Sequence, residues 1–260
     1  MVSELTHYRA RAKFLNYMVG KFNFWDWVVG CYDFSRAKSI LDVNCTTGDF
    51  WTHVHGNLPL LEKVTLTDTS EEMLSAARET LANSPLFTKM NFELAEAAAL
   101  TYADQSFDVV VTHDLMLRVH KSIPQSIQAM ARVLRKEGWA GIITLNMRSV
   151  REILGLANKI DSRFPARSVV LEQFDEIIAD KLLPKYFNRI QKYSDEAIMR
   201  ITDSEVIMGF IRTHPVSLSL GLKEDFFTTF KGAIDNIIAQ KGFLETAITP
   251  TLYICKGTVK

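Results

Sequence analysis

Two rhythms of apolar residues alternate along this chain. Short apolar runs give way to stretches in which apolar side chains recur every three or four positions. Lys38–Val43, Lys63–Asp68, Asn91–Ala95, Val109–Thr112 and Ala140–Leu145 predict five strands. Val109–Thr112 is apolar almost throughout, as suits a strand covered on both faces. Between the strands, Asp49–Asn57 and Ile123–Lys136 predict helices, the second ended by Gly138. Ser70 can cap a further helix, with Glu71 and Glu72 at its positive end and Met73, Leu74, Ala77 and Leu81 as its buried stripe. Phe243–Ile248 and Leu252–Cys255 flank Thr249-Pro250, which predicts a closing antiparallel hairpin. Strands alternating with helices predict an α/β fold on a mostly parallel sheet.

Two regions fall outside that alternation. Residues 1–36 carry Tyr8, Phe14, Tyr17, Phe22, Phe24, Trp25, Trp27, Tyr32 and Phe34. Leu15, Met18, Val19 and Phe22 repeat at helical spacing, so many of these rings serve packing. Residues 147–242 show helical patterns at Ser168–Leu183, Asp203–Arg212 and Lys223–Gln240. That interval is too long for a bare crossover and predicts a helical cap inserted in the sheet. The division expected is therefore 1–36, a core at 37–146, a cap at 147–242 and a hairpin at 243–260.

Charge and cysteine content narrow the partners. Acidic and basic residues balance at 30 each over 260 residues, which disfavours nucleic acid and favours a small-molecule substrate. The first dozen residues include Glu4, Arg9 and Arg11, so they do not read as a secretory signal, and no apolar run reaches membrane-spanning length. Cys31, Cys45 and Cys255 lie far apart and read as reduced thiols of a cytoplasmic protein. His53 with His55, and His113 with Asp114 and His120, lack the spacing and company of a metal site. The oligomeric state is left open.

The chemistry concentrates where the first strand ends. From Ile40 to Trp51 an apolar run closes on Asp42, passes through Asn44-Cys45-Thr46-Thr47 and reaches Gly48 before a helix, the outline of a Rossmann-type nucleotide site. Asp68 ends the second strand about 26 residues after Asp42, where such sites hold ribose hydroxyls. The segment Asp42–Gly48 resembles motif I of class I S-adenosylmethionine-dependent methyltransferases, usually Asp-Val-Gly-Cys-Gly-Thr-Gly; Asn44 and Thr46 replace two of its glycines. Leu66–Leu74 resembles motif II of bacterial small-molecule members. Ala95-Glu96-Ala97, Leu100-Thr101-Tyr102 and Ser106-Phe107-Asp108 stand where the family has Gly-Asp-Ala, Leu-Pro-Phe and Ser-Phe-Asp. Thr249–Gly257 resembles the family's last strand, and Tyr193–Glu205 resembles a stretch of some members' caps.

The resemblance implies a Rossmann-like, seven-stranded, mostly parallel sheet with a C-terminal antiparallel hairpin, an N-terminal helical lid and a cap insertion. It also implies S-adenosylmethionine, as methyl donor or as the substrate itself. The residues it places around that molecule are Asp42, Asn44, Cys45, Thr46, Gly48, Asp68, Thr69, Met73, Glu96, Ala97 and Thr112. Asp68 would take the ribose, Glu96 the adenine amino group, and the Ala97 N–H the ring. His113, Asp114 and Asn146 leave strand ends and, with a lid tyrosine such as Tyr8 or Tyr17, are the candidates for proton transfer. Asparagine accepts a left-handed backbone readily, whereas β-branched Thr46 resists it. Three readings stay open: methyl transfer to a small molecule in secondary metabolism, cyclisation of S-adenosylmethionine to azetidine-2-carboxylate and methylthioadenosine, and binding without catalysis.

Overall fold

The computed structural model describes residues 3–20, 23–55, 58–113, 122–146, 149–166 and 174–259. Its strands are β1 (Ser39–Val43), β2 (Lys63–Asp68), β3 (Met90–Leu94), β4 (Phe107–Thr112), β5 (Leu134–Leu145), β6 (Phe187–Ser194), β7 (Ala197–Ile201), β8 (Leu244–Ile248) and β9 (Pro250–Thr258). Seven of them form one sheet in the order β3-β2-β1-β4-β5-β9-β6. The pairs β1/β2, β2/β3, β1/β4 and β4/β5 are parallel, and β6/β9 is antiparallel. This is the Rossmann-like α/β sheet the sequence predicts. Strand order reverses between β1 and β4, and ligands of such sheets bind beyond the carboxyl ends at that switch point.

Two compact units make up the chain. One comprises Trp25–Thr144, Gln173–Ser194 and Thr251–Lys260, and contains the seven-stranded sheet. Its central strands are buried on both faces: Ile40, Leu41, Val64, Leu66 and Val110 are fully buried. The other comprises Met1–Phe24, Leu145–Glu172 and Asp195–Pro250. It has its own core, in which Phe14, Ile153, Met199, Ile207, Phe230 and Ile234 pack together beside the two-stranded β7/β8 sheet. No helix among the described residues is long and apolar enough to cross a membrane.

Several boundaries differ from expectation, each for a local reason. The helix after β1 is Asp49–Thr52 rather than Asp49–Asn57. Thr52 turns its hydroxyl back onto the Asp49 carbonyl at 2.7 Å, a bond that competes with the helical ladder. Gly56 and Asn57 lie outside the described residues, as do Phe22 and 168–173 of the expected Ser168–Leu183 helix, of which Glu176–Leu182 is helical. The Ile123 helix stops at Val133, because Leu134 already pairs with Phe107. Gly138 then sits inside a bulge of β5, where a Cβ would strike the backbone carbonyl of Asp108.

The expected cap and hairpin are rearranged. Residues 173–194 of the expected cap belong with the core and supply β6, the edge strand. No hairpin joins β8 to β9: β8 pairs with β7, and β9 enters the large sheet beside β6. The antiparallel pair of the large sheet is thus β6/β9. The N-terminal segment divides too, Tyr8, Phe14 and Tyr17 falling in one unit and Trp25, Tyr32 and Phe34 in the other.

Candidate functional site

The turn after β1 keeps the glycine-loop backbone without its glycines. Asn44, Thr46 and Gly48 have φ of 58°, 53° and 75°, so all three glycine positions of the motif are left-handed. A non-glycine residue pays about 1–2 kcal/mol for that conformation, asparagine less than threonine. Bonds to β2 offset it. The Cys45 N–H donates to the Thr67 carbonyl at 2.8 Å, the Thr67 hydroxyl to the Asp42 carbonyl at 3.0 Å, and the Thr46 N–H to Asp68 Oδ2 at 3.2 Å. Gly48 has a second requirement, since a Cβ there would lie 2.8 Å from Leu81 Cδ1 on the helix packed behind it.

Asp68 is fully buried at the end of β2. Besides Thr46, it accepts the Ser70 N–H at Oδ1, 3.0 Å away, while the Ser70 hydroxyl caps the helix Glu71–Leu81. One carboxylate therefore holds the turn and the start of the next helix in register.

Under the turn lies a network of buried polar and aromatic groups. Asp42 Oδ2 accepts the indole N–H of Trp51 at 2.8 Å, whereas Oδ1 has no hydrogen-bond partner. Burial, and secondarily the nearby Asp68, push the Asp42 carboxyl up to about 7, against the lowering effect of the Trp51 bond. His113 turns into this core. Its ring lies 4.2 Å from Phe50 and 5.5 Å from Trp25, and burial pushes it down to about 3. His113 is therefore neutral, and the 3.9 Å approach of its Nδ1 to Asp42 Oδ1 is not an ion pair. Tyr32, whose phenol burial pushes well up, stays protonated, and its hydroxyl is hydrogen-bonded to His113 Nε2 at 3.2 Å. Gly141 of β5 makes room for that phenol: a Cβ there would lie 2.6 Å from the Tyr32 oxygen.

The structure gathers Asp42, Asn44, Cys45, Thr46, Gly48, Asp68, Thr112 and His113 at the carboxyl ends of β1, β2 and β4. Thr69 is exposed beside Asp68, and Met73 is fully buried in its helix. After β3, Glu96 is exposed and Ala97 buried. Tyr8, Tyr17 and Asn146 belong to the other unit, where the Asn146 N–H donates to the Thr249 carbonyl at 2.9 Å. Asp114 lies outside the described residues. The expected role of His113 as an accessible base meets a different geometry: its side chain is 6% exposed and already bonded to Tyr32. Tyr32 and Trp51 are the contributors that the sequence reading misses.

Comparison with known proteins agrees with this geometry. Residues 40–138 match the family model described as a methyltransferase domain. A ubiquinone/menaquinone biosynthesis C-methyltransferase UbiE from Geobacter sulfurreducens is 30% identical over 116 residues, 44% of this chain and 44% of that protein. Its counterpart in Escherichia coli K12 is 30% identical over 112 residues, 43% and 44% of the two chains. The chain thus matches under half the length of these curated relatives. The YcgJ protein from Bacillus subtilis shares the fold, with a TM-score of 0.58 at 13% identity over 90% of this chain and 97% of that one. The large unit has the Rossmann-like α/β sheet, and residues 40–138 within it resemble a methyltransferase domain. These likenesses imply S-adenosylmethionine as the methyl donor.

The residues present fit that donor. Three buried polar atoms at the end of β1, Asp42 Oδ1 and both amide atoms of Asn44, have no partner in the protein. Leaving such an atom unsatisfied costs about 1–3 kcal/mol, which a polar ligand in the turn would recover. Asp68 stands at the end of β2, and Ala97 follows β3.

Proposed function

We propose that this protein transfers the methyl group of S-adenosylmethionine to a small molecule. The observation that carries the reading is the turn Asn44–Gly48, which adopts three left-handed residues despite two substitutions and is tied to Asp68 at the neighbouring strand end. When bound, S-adenosylmethionine supplies a methyl group on a sulfonium; the acceptor's lone pair forms the new bond while the carbon–sulfur pair returns to sulfur. The protein's part is placement. Asp68 fixes the nucleoside end, the turn lies towards the methionine end, and the buried floor of Phe50, Trp51 and His113 keeps water away from below.

A proton leaves the acceptor if its nucleophile is protonated, and the base for it lies outside the His113 network. Asp114, Tyr8 and Tyr17 are the remaining candidates, with Asn146 as an orienting group. Balanced charge supports a small-molecule acceptor over nucleic acid, as does the part of the UbiE relatives in ubiquinone/menaquinone biosynthesis. A place in secondary metabolism follows the motif II resemblance. Three cysteines, none in a disulfide, support a cytoplasmic setting.

The test is incubation of the full chain with S-adenosylmethionine, alone and with a panel of phenolic, quinonoid and amine acceptors. Methyl transfer yields S-adenosylhomocysteine only when an acceptor is present. Methylthioadenosine formed without any acceptor would establish the cyclase instead, and binding without either product would leave a non-catalytic binder.

A further inference from the structure

We infer that the cavity at the amino end of β4 is a second binding site, which takes a small molecule carrying a phosphate group. The inference is independent of the methyl-transfer reading. The cavity holds about 990 Å³, within the range of small-molecule sites, and its whole lining belongs to the unit that contains the large sheet. It is lined by Asp108 at the start of β4 and by Arg135–Trp139 in the first half of β5, whereas the turn Asn44–Gly48 follows the carboxyl end of β1. β1 and β4 are parallel, so the cavity and the turn lie at opposite ends of the sheet. The wall is fixed by the protein itself: the Trp139 indole N–H donates to the Asp33 carbonyl at 3.1 Å and ties the lining segment around Asp33 to β5.

The charge of the lining selects the ligand. Asp108 is already engaged, accepting the N–H groups of Lys38 and Ser39 at 2.9 Å and the Arg135 guanidinium at 2.6 Å. Arg36, Lys136 and Lys256 also line the cavity, are exposed to solvent, and have no ion-pair partner among the described residues. Lys256 of β9 stands directly opposite Arg189 of β6, a register in which like charges repel. Opposed residues share a face of the sheet, and the pair two residues along, Gln191 and Ile254, lines the cavity, so Arg189 adds its charge on the same side. The other face of these strands is treated differently. Lys192 there reaches Asp180 at 3.0 Å and Glu176 at 3.6 Å, both in the helix Glu176–Leu182. The chain thus neutralises a cation on one face and leaves a repelling pair on the face with the cavity. Lys256 and Arg36 both help to hold the Asp33 carboxyl below its usual value, after the bonds it accepts from Ser35, which brings cations of separate segments around one point. With Asp33 and Glu137 as the remaining acids, the four cations leave an excess of two positive charges. A phosphate monoester carries about −1.5 to −2 near pH 7 and answers that excess, whereas a carboxylate brings half of it. Trp139, Tyr193 and Ile254 supply apolar surface for the organic part.

Calorimetry on the full chain at fixed ionic strength tests it with phenyl phosphate, benzoate and phenol as probes. Phenyl phosphate is expected to bind, benzoate about tenfold or more weakly, and phenol not at all. Arg36→Gln and Lys256→Gln are each expected to weaken phenyl phosphate by about tenfold, as loss of a hydrogen bond between charged groups does. Lys192→Gln, on the other face, should leave it within about threefold. All three positions are exposed, so the variants keep their fold, which circular dichroism and melting verify. Saturating S-adenosylmethionine should leave the affinity for phenyl phosphate unchanged, because the two sites lie at opposite ends of the sheet. Parent protein that does not bind phenyl phosphate overturns the inference, as does an equal affinity in Arg36→Gln, Lys256→Gln and the parent. Displacement of phenyl phosphate by S-adenosylmethionine overturns it too, by moving the probe to the turn after β1.

Discussion

The Asp68 carboxylate accepts the backbone N–H of Thr46 at 3.2 Å, joining the end of β2 to the turn that follows β1. In the family pattern that turn is flexible glycine, and here it carries a buried β-branched residue with φ of 53°. The bond satisfies a buried N–H and holds Thr46 in a conformation it would otherwise leave. An acid expected to serve the ribose is thus first a structural tie.

Removing that tie affects stability as well as binding. Asp68→Ala leaves the N–H groups of Thr46 and Ser70 without their acceptor, and the buried one, that of Thr46, costs about 1–3 kcal/mol. Urea unfolding should show that loss, and calorimetry should show S-adenosylmethionine binding weakened by about tenfold or more. Unchanged unfolding would mean that the turn holds itself.

Thr46→Gly works in the other direction. Glycine removes about 1–2 kcal/mol of left-handed strain and returns about 0.5–1 kcal/mol as backbone entropy, so the variant should melt at or slightly above the parent temperature. Turnover should change more than adenosine affinity, since only the turn next to the methionine end is altered. A clearly lower melting temperature would show that the buried Thr46 side chain contributes more by packing than its backbone costs.

How far these features are legible in the sequence depends on what the position requires. Gly48 is readable because it needs both a left-handed backbone and a missing Cβ against Leu81. Asn44 and Thr46 sit at positions whose backbone can be met by other residues, so substitution there hides the motif without undoing the turn. β1 and β4 are legible because burial on both faces shows as the apolar runs Ile40-Leu41 and Val109–Val111, and β2 through Val64 and Leu66 ahead of the strand-end Asp68. β6 is not: Phe187–Ser194 is mostly exposed at the sheet edge and lacks an apolar run. Its partner β9 reads as half of a hairpin because the chain turns at Thr249-Pro250, and nothing local says that β8 departs to a different sheet. Tyr32 is one ring among many, and the sign of its place lies a hundred residues away, in a glycine within β5.

Asp42 and His113 make opposite contributions to stability as pH changes. Asp42 titrates near 7 when folded and near 4 when unfolded, so the folded state holds the extra proton and stability from this group falls as pH rises across that window. His113 titrates near 3 when folded and near 6.5 when unfolded, so its contribution falls as pH drops below about 6.5. Between about pH 4 and 6.5 the two slopes cancel in the parent protein. Asp42→Asn should therefore gain stability with rising pH in that range, by up to about 1.4 kcal/mol per unit, and His113→Phe should lose it at a similar rate. Chemical denaturation at several pH values reads both slopes. Parallel curves for the parent and the two variants would show that neither group is held as this burial implies.

His113→Phe also decides the place of this histidine in catalysis. Its Nε2 is bonded to the Tyr32 phenol and its Nδ1 faces Asp42 Oδ1 at 3.9 Å, so neither nitrogen is offered to an acceptor. Burial further lowers its basicity, since a ring pushed down to about 3 gains little by taking a proton near neutral pH. Phenylalanine keeps most of the contact with Phe50 and Trp25 while removing both nitrogens. With a methyl acceptor in hand and S-adenosylmethionine saturating, turnover of this variant should stay within about threefold of the parent, far from the 10²–10⁴-fold share of a general base. Tyr32→Phe is the control: it frees Nε2 and should cost stability while leaving turnover in the same range. A loss of about a hundredfold or more in His113→Phe alone, in protein that melts like the parent, would return His113 to the reaction as its base.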